Sequence, residues 1–148
     1  MAKKEVPFRL VDINTEQFAS FEDRFDSSDL DANIDFGLDF KLDKTQNLLG
    51  VFTRYEFTQE ENVILLMECS CSFHIAEEFW QHQTDGDNIV FPSDLLTHLL
   101  VLTVGTARGI IHAKKPKQFQ HLLLPTLNVS KIISEDKVFS LTAQDEEE

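Results

Sequence analysis

Residues 34–43 alternate strictly, with Ile34, Phe36, Leu38, Phe40 and Leu42 on one side and Asp35, Gly37, Asp39, Lys41 and Asp43 on the other. Ten residues of period two predict a half-buried β-strand. After a turn-like stretch at 43–47, Leu49, Val51, Thr53, Tyr55 and Phe57 point inward, with Arg54, Glu56 and Thr58 outward. A polar turn at 59–62 leads to a third run. Its apolar face is Val63, Leu65, Met67, Cys69, Cys71, Phe73 and Ile75, and its other face is Ile64, Leu66, Glu68, Ser70, Ser72 and His74. Three strands with short connections predict an antiparallel meander. Before them, Phe8, Leu10, Val11 and Ile13 suggest a long or bulged strand, although Phe18, Phe21 and Phe25 recur at helical spacing. Residues 26–33 then read as a polar crossover loop.

The period changes after residue 88. Pro92 suits the first turn of a helix, where its missing N–H costs nothing, and Ser93 and Asp94 place acceptors at the positive end. Leu95, Leu96, Leu99, Leu100, Val101, Leu102 and Val104 cover nearly the whole circumference, as in a helix buried on more than one side. A sheet covers only one side, so another subunit is the simplest second cover. Gly105 and Gly109, four apart, thin one face for close packing. Leu96, Leu100, Gly105 and Gly109 are therefore the expected oligomer interface. Basic residues and Pro116 end the helix near Lys114. Residues 117–142 show no firm period, and residues 122–125 read as an extended segment laid over the core. The expected fold is α+β: a four-stranded antiparallel sheet packed on one long C-terminal helix, with one domain over 1–142 and an acidic disordered tail over 143–148.

Composition narrows the partners. The 148 residues carry 26 Asp and Glu against 13 Lys and Arg, a formal charge of −13. An acid excess argues against nucleic acid, which is bound by Lys and Arg clusters, and against anionic lipid. A basic partner fits better. Thirteen Phe stand against one Trp and one Tyr, so most of the aromatic content supplies buried area without a hydrogen-bonding handle. No apolar h-region follows Lys3 and Lys4, and the most apolar window, 95–111, is interrupted by His98 and Arg108 and too short for a bilayer. Cys69 and Cys71, i and i+2 on one strand face, have poor disulfide geometry. A reduced, cytoplasmic protein without membrane insertion is expected.

Catalytic motifs are lacking: there is no glycine-rich phosphate loop, no nucleophile elbow and no His pair at i, i+4. Cys69 and Cys71 point away from His74 with no fourth ligand nearby, so no metal, no cofactor and no enzyme activity are expected. The outward sheet face carries Asp35, Asp39, Asp43, Glu56 and Glu68, and Phe52, Ile64 and Leu66 break its polar pattern as an apolar cluster would at a contact surface.

Several short words, in order, resemble the SecB family of protein-export chaperones. Residues 88–92, Asn-Ile-Val-Phe-Pro, open the long helix as the family's Asn-Ile-Leu-Phe-Pro does. Ala107-Arg108-Gly109 falls where the family has Ser-Arg-Gly, and Leu124-Pro125-Thr126-Leu127-Asn128 is similar to its Leu-Ala-Pro-Val-Asn. Ser20-Phe21-Glu22 and Phe73-His74-Ile75 resemble family words in the first and fourth strands. The resemblance covers about residues 8–129. It implies an ATP-independent holdase for unfolded or secretory clients, assembled as a dimer or a dimer-of-dimers tetramer. It also implies docking of the SecA motor on the sheet, with Glu22 carried over by motif and Leu66 and Glu68 similar in place. Client binding in the family uses apolar grooves; here Phe25, Leu30, Phe79 and Trp80, in or beside loops, are the expected contacts. Two features depart from the family. Residues 130–137 form a short, poorly amphipathic stretch in place of a second helix, and the linker at 114–121 carries three lysines. The alternatives are a SecB-like chaperone of a toxin–antitoxin system and, from another class, a small-molecule binder whose sheet grips the long helix around a cavity.

Overall fold

A computed structural model describes residues 6–26, 28 and 31–141. Four long strands, β1 (Phe8–Ser20), β2 (Asn33–Asp43), β3 (Leu48–Gln59) and β4 (Asn62–Ile75), form one antiparallel sheet in the order β1-β4-β3-β2. The predicted meander is β2-β3-β4. The chain between β1 and β2 runs from one edge of the sheet to the other, as a crossover must. β1 is the long, bulged strand: its register with β4 shifts between Leu10 and Asp12 and again between Thr15 and Gln17. Val11 and Glu16 are the inserted residues. They let thirteen residues follow a strongly twisted neighbour.

A third register shift corrects the sequence reading. β3 and β4 pair Phe57 with Leu65 and then Thr58 with Val63, so Ile64 is the extra residue. The bulge takes Ile64 out of strict alternation and buries it completely, while Val63 is only half-buried. Ile64 therefore does not belong to an outward cluster. Its carbonyl accepts the Phe21 N–H at 2.9 Å, which ties the end of β1 to the sheet. The hairpin beyond it turns through Glu60 and Glu61, both with positive φ (44° and 73°).

The inward residues of β3 and β4 and one long helix, α2 (Ser93–Lys114), make the core. Pro92 precedes its first turn and Pro116 follows its last, as predicted. Asp136 adds a cap from far along the chain, its Oδ1 accepting the Ser93 N–H at 2.7 Å. By length and composition this helix would suffice to cross a bilayer, so the sequence argument that the segment is too short does not hold. What occupies it here is protein: Leu95, Leu96, Leu99, Leu100, Thr103, Val104, Ala107 and Ile111 are buried.

The helix is not C-terminal. Residues 115–141 return along it and supply much of the second cover that sequence reasoning assigned to another subunit. Leu122, Leu124, Val129 and Ile133 are buried there, with α3 (Val129–Ile132) a single turn. Two further features carry no periodic signal. A short helix, α1 (Glu77–Gln83), follows β4. A second sheet joins β5 (Thr84–Asp85), β6 (Asn88–Phe91) and β7 (Lys137–Ser140) in that order. The word at 88–92 is thus a strand leading into the helix. The acidic tail, 143–148, lies outside the described residues.

Candidate functional site

Among the described residues no helix lies on the outward face of the large sheet, and alternation places its groups as expected. Gly37, Arg54 and Glu68 lie side by side across β2, β3 and β4, and the next row is Asp39, Phe52 and Ser70. Arg54 sits among the acids. Its Nη1 is 2.9 Å from Glu56 Oε2 and its Nε 3.7 Å from Glu68 Oε2. Such exposed pairs add at most about 1 kcal/mol to stability, but they neutralise part of the negative field. Phe52 lies flat towards Gly50, where a Cβ would come 2.9 Å from its Cε1, and the Lys41 ammonium stands 4.8 Å from the ring centre. Beside them opens a cleft of about 300 Å³ lined by Glu16, Asp39, Lys41, Phe52, Arg54 and Glu68. Glu16, the bulge residue of β1, accepts a hydrogen bond from Ser70 Oγ at 2.9 Å.

Of the expected docking residues, Leu66 and Glu68 point out from this face of β4, half-buried. Glu22 is exposed on a 3-10 turn just past β1, its Oε1 accepting the Ser20 hydroxyl at 2.6 Å. It stands at the end of the sheet rather than within the row of Arg54 and Glu68.

Apolar surface stays open at two places on the inward side. On β2, Ile34, Phe36, Leu38 and Phe40 are only half-buried, and β2 is an edge strand whose outer main-chain groups pair with no other strand among the described residues. A cleft of about 300 Å³ runs along it, walled by Leu38, Phe40, Leu96 and Ile133 with Glu135 and Lys137 at the rim. At the opposite edge α2 touches β1 through His98 on Phe8 (5.1 Å between centroids) and Lys114 over Phe18 (5.7 Å), leaving Leu10 (43% exposed), Val11 and Ile13 uncovered. Val101 (50%) and Leu102 (39%) are exposed on α2.

Four expected client contacts fare differently. Phe79 and Trp80 are core residues of α1. Trp80 is 4% exposed, its indole N–H donates to the Ile75 carbonyl at 3.1 Å, and both rings pack on Phe91 with centroids 4.9 and 5.8 Å away. They are corrected from loop contacts to structural residues, because an amphipathic turn of seven residues is too short to show a period. Phe25 is half-buried edge-on against Phe119, 4.6 Å between centroids. Leu30 lies outside the described residues. The expected interface residues also divide. Leu96 and Leu100 are fully buried within the chain and are corrected to its own core, whereas Gly105 and Gly109 are exposed with open space around both. Sequence reasoning missed the β2 groove, although its alternating row was legible; what hid it was how little of that row the helix covers.

Cys69 and Cys71 are free and fully buried, and their contact together with burial pushes the Cys69 thiol up. Among the described residues no group of three or more His, Cys, Asp or Glu is placed to hold a metal ion. No family model matches the chain, and no curated protein matches it.

Proposed function

We propose that this protein is an ATP-independent holdase, SecB-like in its role, that captures extended apolar segments of unfolded polypeptides. The observation that carries the reading is the half-covered row Ile34, Phe36, Leu38 and Phe40 beside the free β2 edge. An unfolded segment offers both things this surface lacks: alternating apolar side chains for the groove and a main chain for the unpaired strand edge. Any such segment fits, since main-chain pairing is indifferent to sequence. Each contact is weak, and several together offset the entropy of ordering the client. A second copy of the chain is the proposed cover for Leu10, Val11, Ile13, Val101 and Leu102, which gives a homo-oligomer with more than one groove.

The partner on the outward face is proposed to be basic, which suits a motor such as SecA. Arg54 beside Glu68 weakens that case, as does the four-residue α3 where the family has a helix. The departures at 130–137 and in the linker 114–121, with its three lysines, favour the alternative of a specialised toxin–antitoxin chaperone.

The test is suppression of aggregation of a chemically unfolded protein, without ATP, at stoichiometric ratio. Ile132→Asp, at an exposed position beside the groove, should weaken suppression about tenfold, the cost of placing a charge where an apolar side chain must dock. Absence of suppression by the intact, folded protein sinks the holdase reading. Binding of the motor, or of an antitoxin segment instead, separates the two variants of it.

A further inference from the structure

The segment that returns along α2 is held in an unusual way. Residues 123–126 form no main-chain to main-chain hydrogen bond among the described residues. Two cations, Arg108 of the helix and Lys115 just past its last residue, grip this stretch by its carbonyls instead. Arg108 Nε donates to the Leu124 carbonyl at 2.9 Å and Nη2 to that of Pro125 at 3.0 Å. Lys115 Nζ donates to Leu122 at 2.8 Å and to Gln120 at 3.1 Å. Side chains alternate as in a strand: Leu122 and Leu124 are buried and Leu123 is 57% exposed.

The spacing has a simple origin. Arg108 and Lys115 are seven residues apart, two turns of one helix face, or about 10.5 Å along its axis. An extended chain covers about 3.3 Å per residue, so three residues bridge the two cations. Leu122 and Pro125, held at the two ends, are three residues apart. Ile111 lies buried between the cations on the helix. The grip recognises carbonyl oxygens, which every polypeptide has, plus two aliphatic side chains at i and i+2.

We infer that Arg108 and Lys115 form a polypeptide main-chain clamp on α2, occupied in this structure by the chain's own residues 120–125. An extended client segment with aliphatic residues at i and i+2 takes their place. The inference deepens the holdase reading and rests on it for the identity of the occupant. It adds a site on the helix, apart from the β2 groove, and makes the returning segment an internal competitor. Arg108 and Lys115 can each hold two carbonyls at once because a guanidinium and an ammonium both carry several N–H donors.

Trypsin reads the exchange in the full-length protein. Lys117 and Lys131 flank the clamped stretch, and cleavage there follows the population of the displaced form. The probe is a synthetic peptide of residues 119–130, which contains no Lys or Arg and is not itself cut. Saturating peptide should speed cleavage at Lys131 about threefold or more, and an unfolded, carboxymethylated protein should do the same. In the double variant Arg108→Met, Lys115→Met, which removes the donors and keeps the aliphatic stems, cleavage should already be fast and the peptide should add nothing. Unchanged or slowed cleavage of the wild type with the peptide overturns the clamp, and so does an undiminished response in the double variant. If that variant fails to fold, the wild-type arm decides. The peptide arm works without any client, so loss of the holdase reading shows separately, as an unfolded protein that fails to bind while the peptide still does.

Discussion

Trp80→Ala tests whether α1 is part of the core or a loop-like contact for clients. The indole is 4% exposed and lies between β4 and β6, with its N–H on the Ile75 carbonyl and its ring edge-on to Phe91. Truncating a buried Trp to Ala costs about 3–5 kcal/mol in lost transfer energy and cavity. Loss of the indole donor leaves the Ile75 carbonyl one partner short, worth about 1 kcal/mol within that range. The expected loss is about 4 kcal/mol, a large share of the 5–15 kcal/mol typical of a domain. In urea, followed by far-ultraviolet circular dichroism because the only Trp is gone, the midpoint should fall by about 2 M. Trp80→Phe keeps most of the bulk and loses the hydrogen bond, so about 1–2 kcal/mol is expected. Gln81→Ala, an exposed change on the same helix, should stay within about 0.5 kcal/mol. A loss below about 1.5 kcal/mol for Trp80→Ala would show that α1 is not docked as described, and would return Trp80 to the candidates for client contact.

Four other outcomes follow from three features. Glu60 and Glu61 hold positive φ in a two-residue hairpin that favours Asn-Gly, so Glu60→Asn with Glu61→Gly should stabilise by about 1 kcal/mol; a loss in urea melts would contradict the turn. The Tyr55 hydroxyl is buried without a hydrogen-bond partner among the described residues, the Thr53 hydroxyl being turned to the Cys69 carbonyl at 3.3 Å, so Tyr55→Phe should be neutral or stabilising by about 1 kcal/mol. Burial also raises the Tyr55 pKa, so above pH 10 the unfolded chain loses that proton while the native chain keeps it. Stability then falls with rising pH, by up to about 1.4 kcal/mol per pH unit, and Tyr55→Phe should remove that part of the slope. Cys69 and Cys71 are fully buried, so a thiol reagent should modify them no faster than the protein opens; rapid labelling of the native state would refute their place beneath α2.

Much of the architecture was legible because it rests on local repetition. The strict alternation of β2 and β3, the inward row of β4 and the Pro92 and Pro116 limits of α2 each depend on residues a few positions apart. The acidic outward face was legible for the same reason, since period two assigns a face as soon as the strand is known. The pairing of Arg54 with Glu68 was not, because it needs the register between β3 and β4. One bulge was enough to move Ile64 from the surface to the core. Phe79 and Trp80 sit in a helix too short to repeat, so their sequence resembles a loop with two exposed aromatics. β6 and β7 are four residues each, and they pair across nearly fifty positions.

The sequence by itself therefore determined the sheet, the helix and the sign of the charge on the open face, each a consequence of side-chain periodicity or plain counting. Tertiary structure alone decided what covers α2. An apolar circumference demands burial without naming the partner, and the chain met part of that demand by folding residues 115–141 back through two cations and a few leucines. Where that cover stops, beside β2 and along β1, lies the apolar surface on which the proposed function depends, because closure of the chain on itself is a non-local balance that no local pattern records.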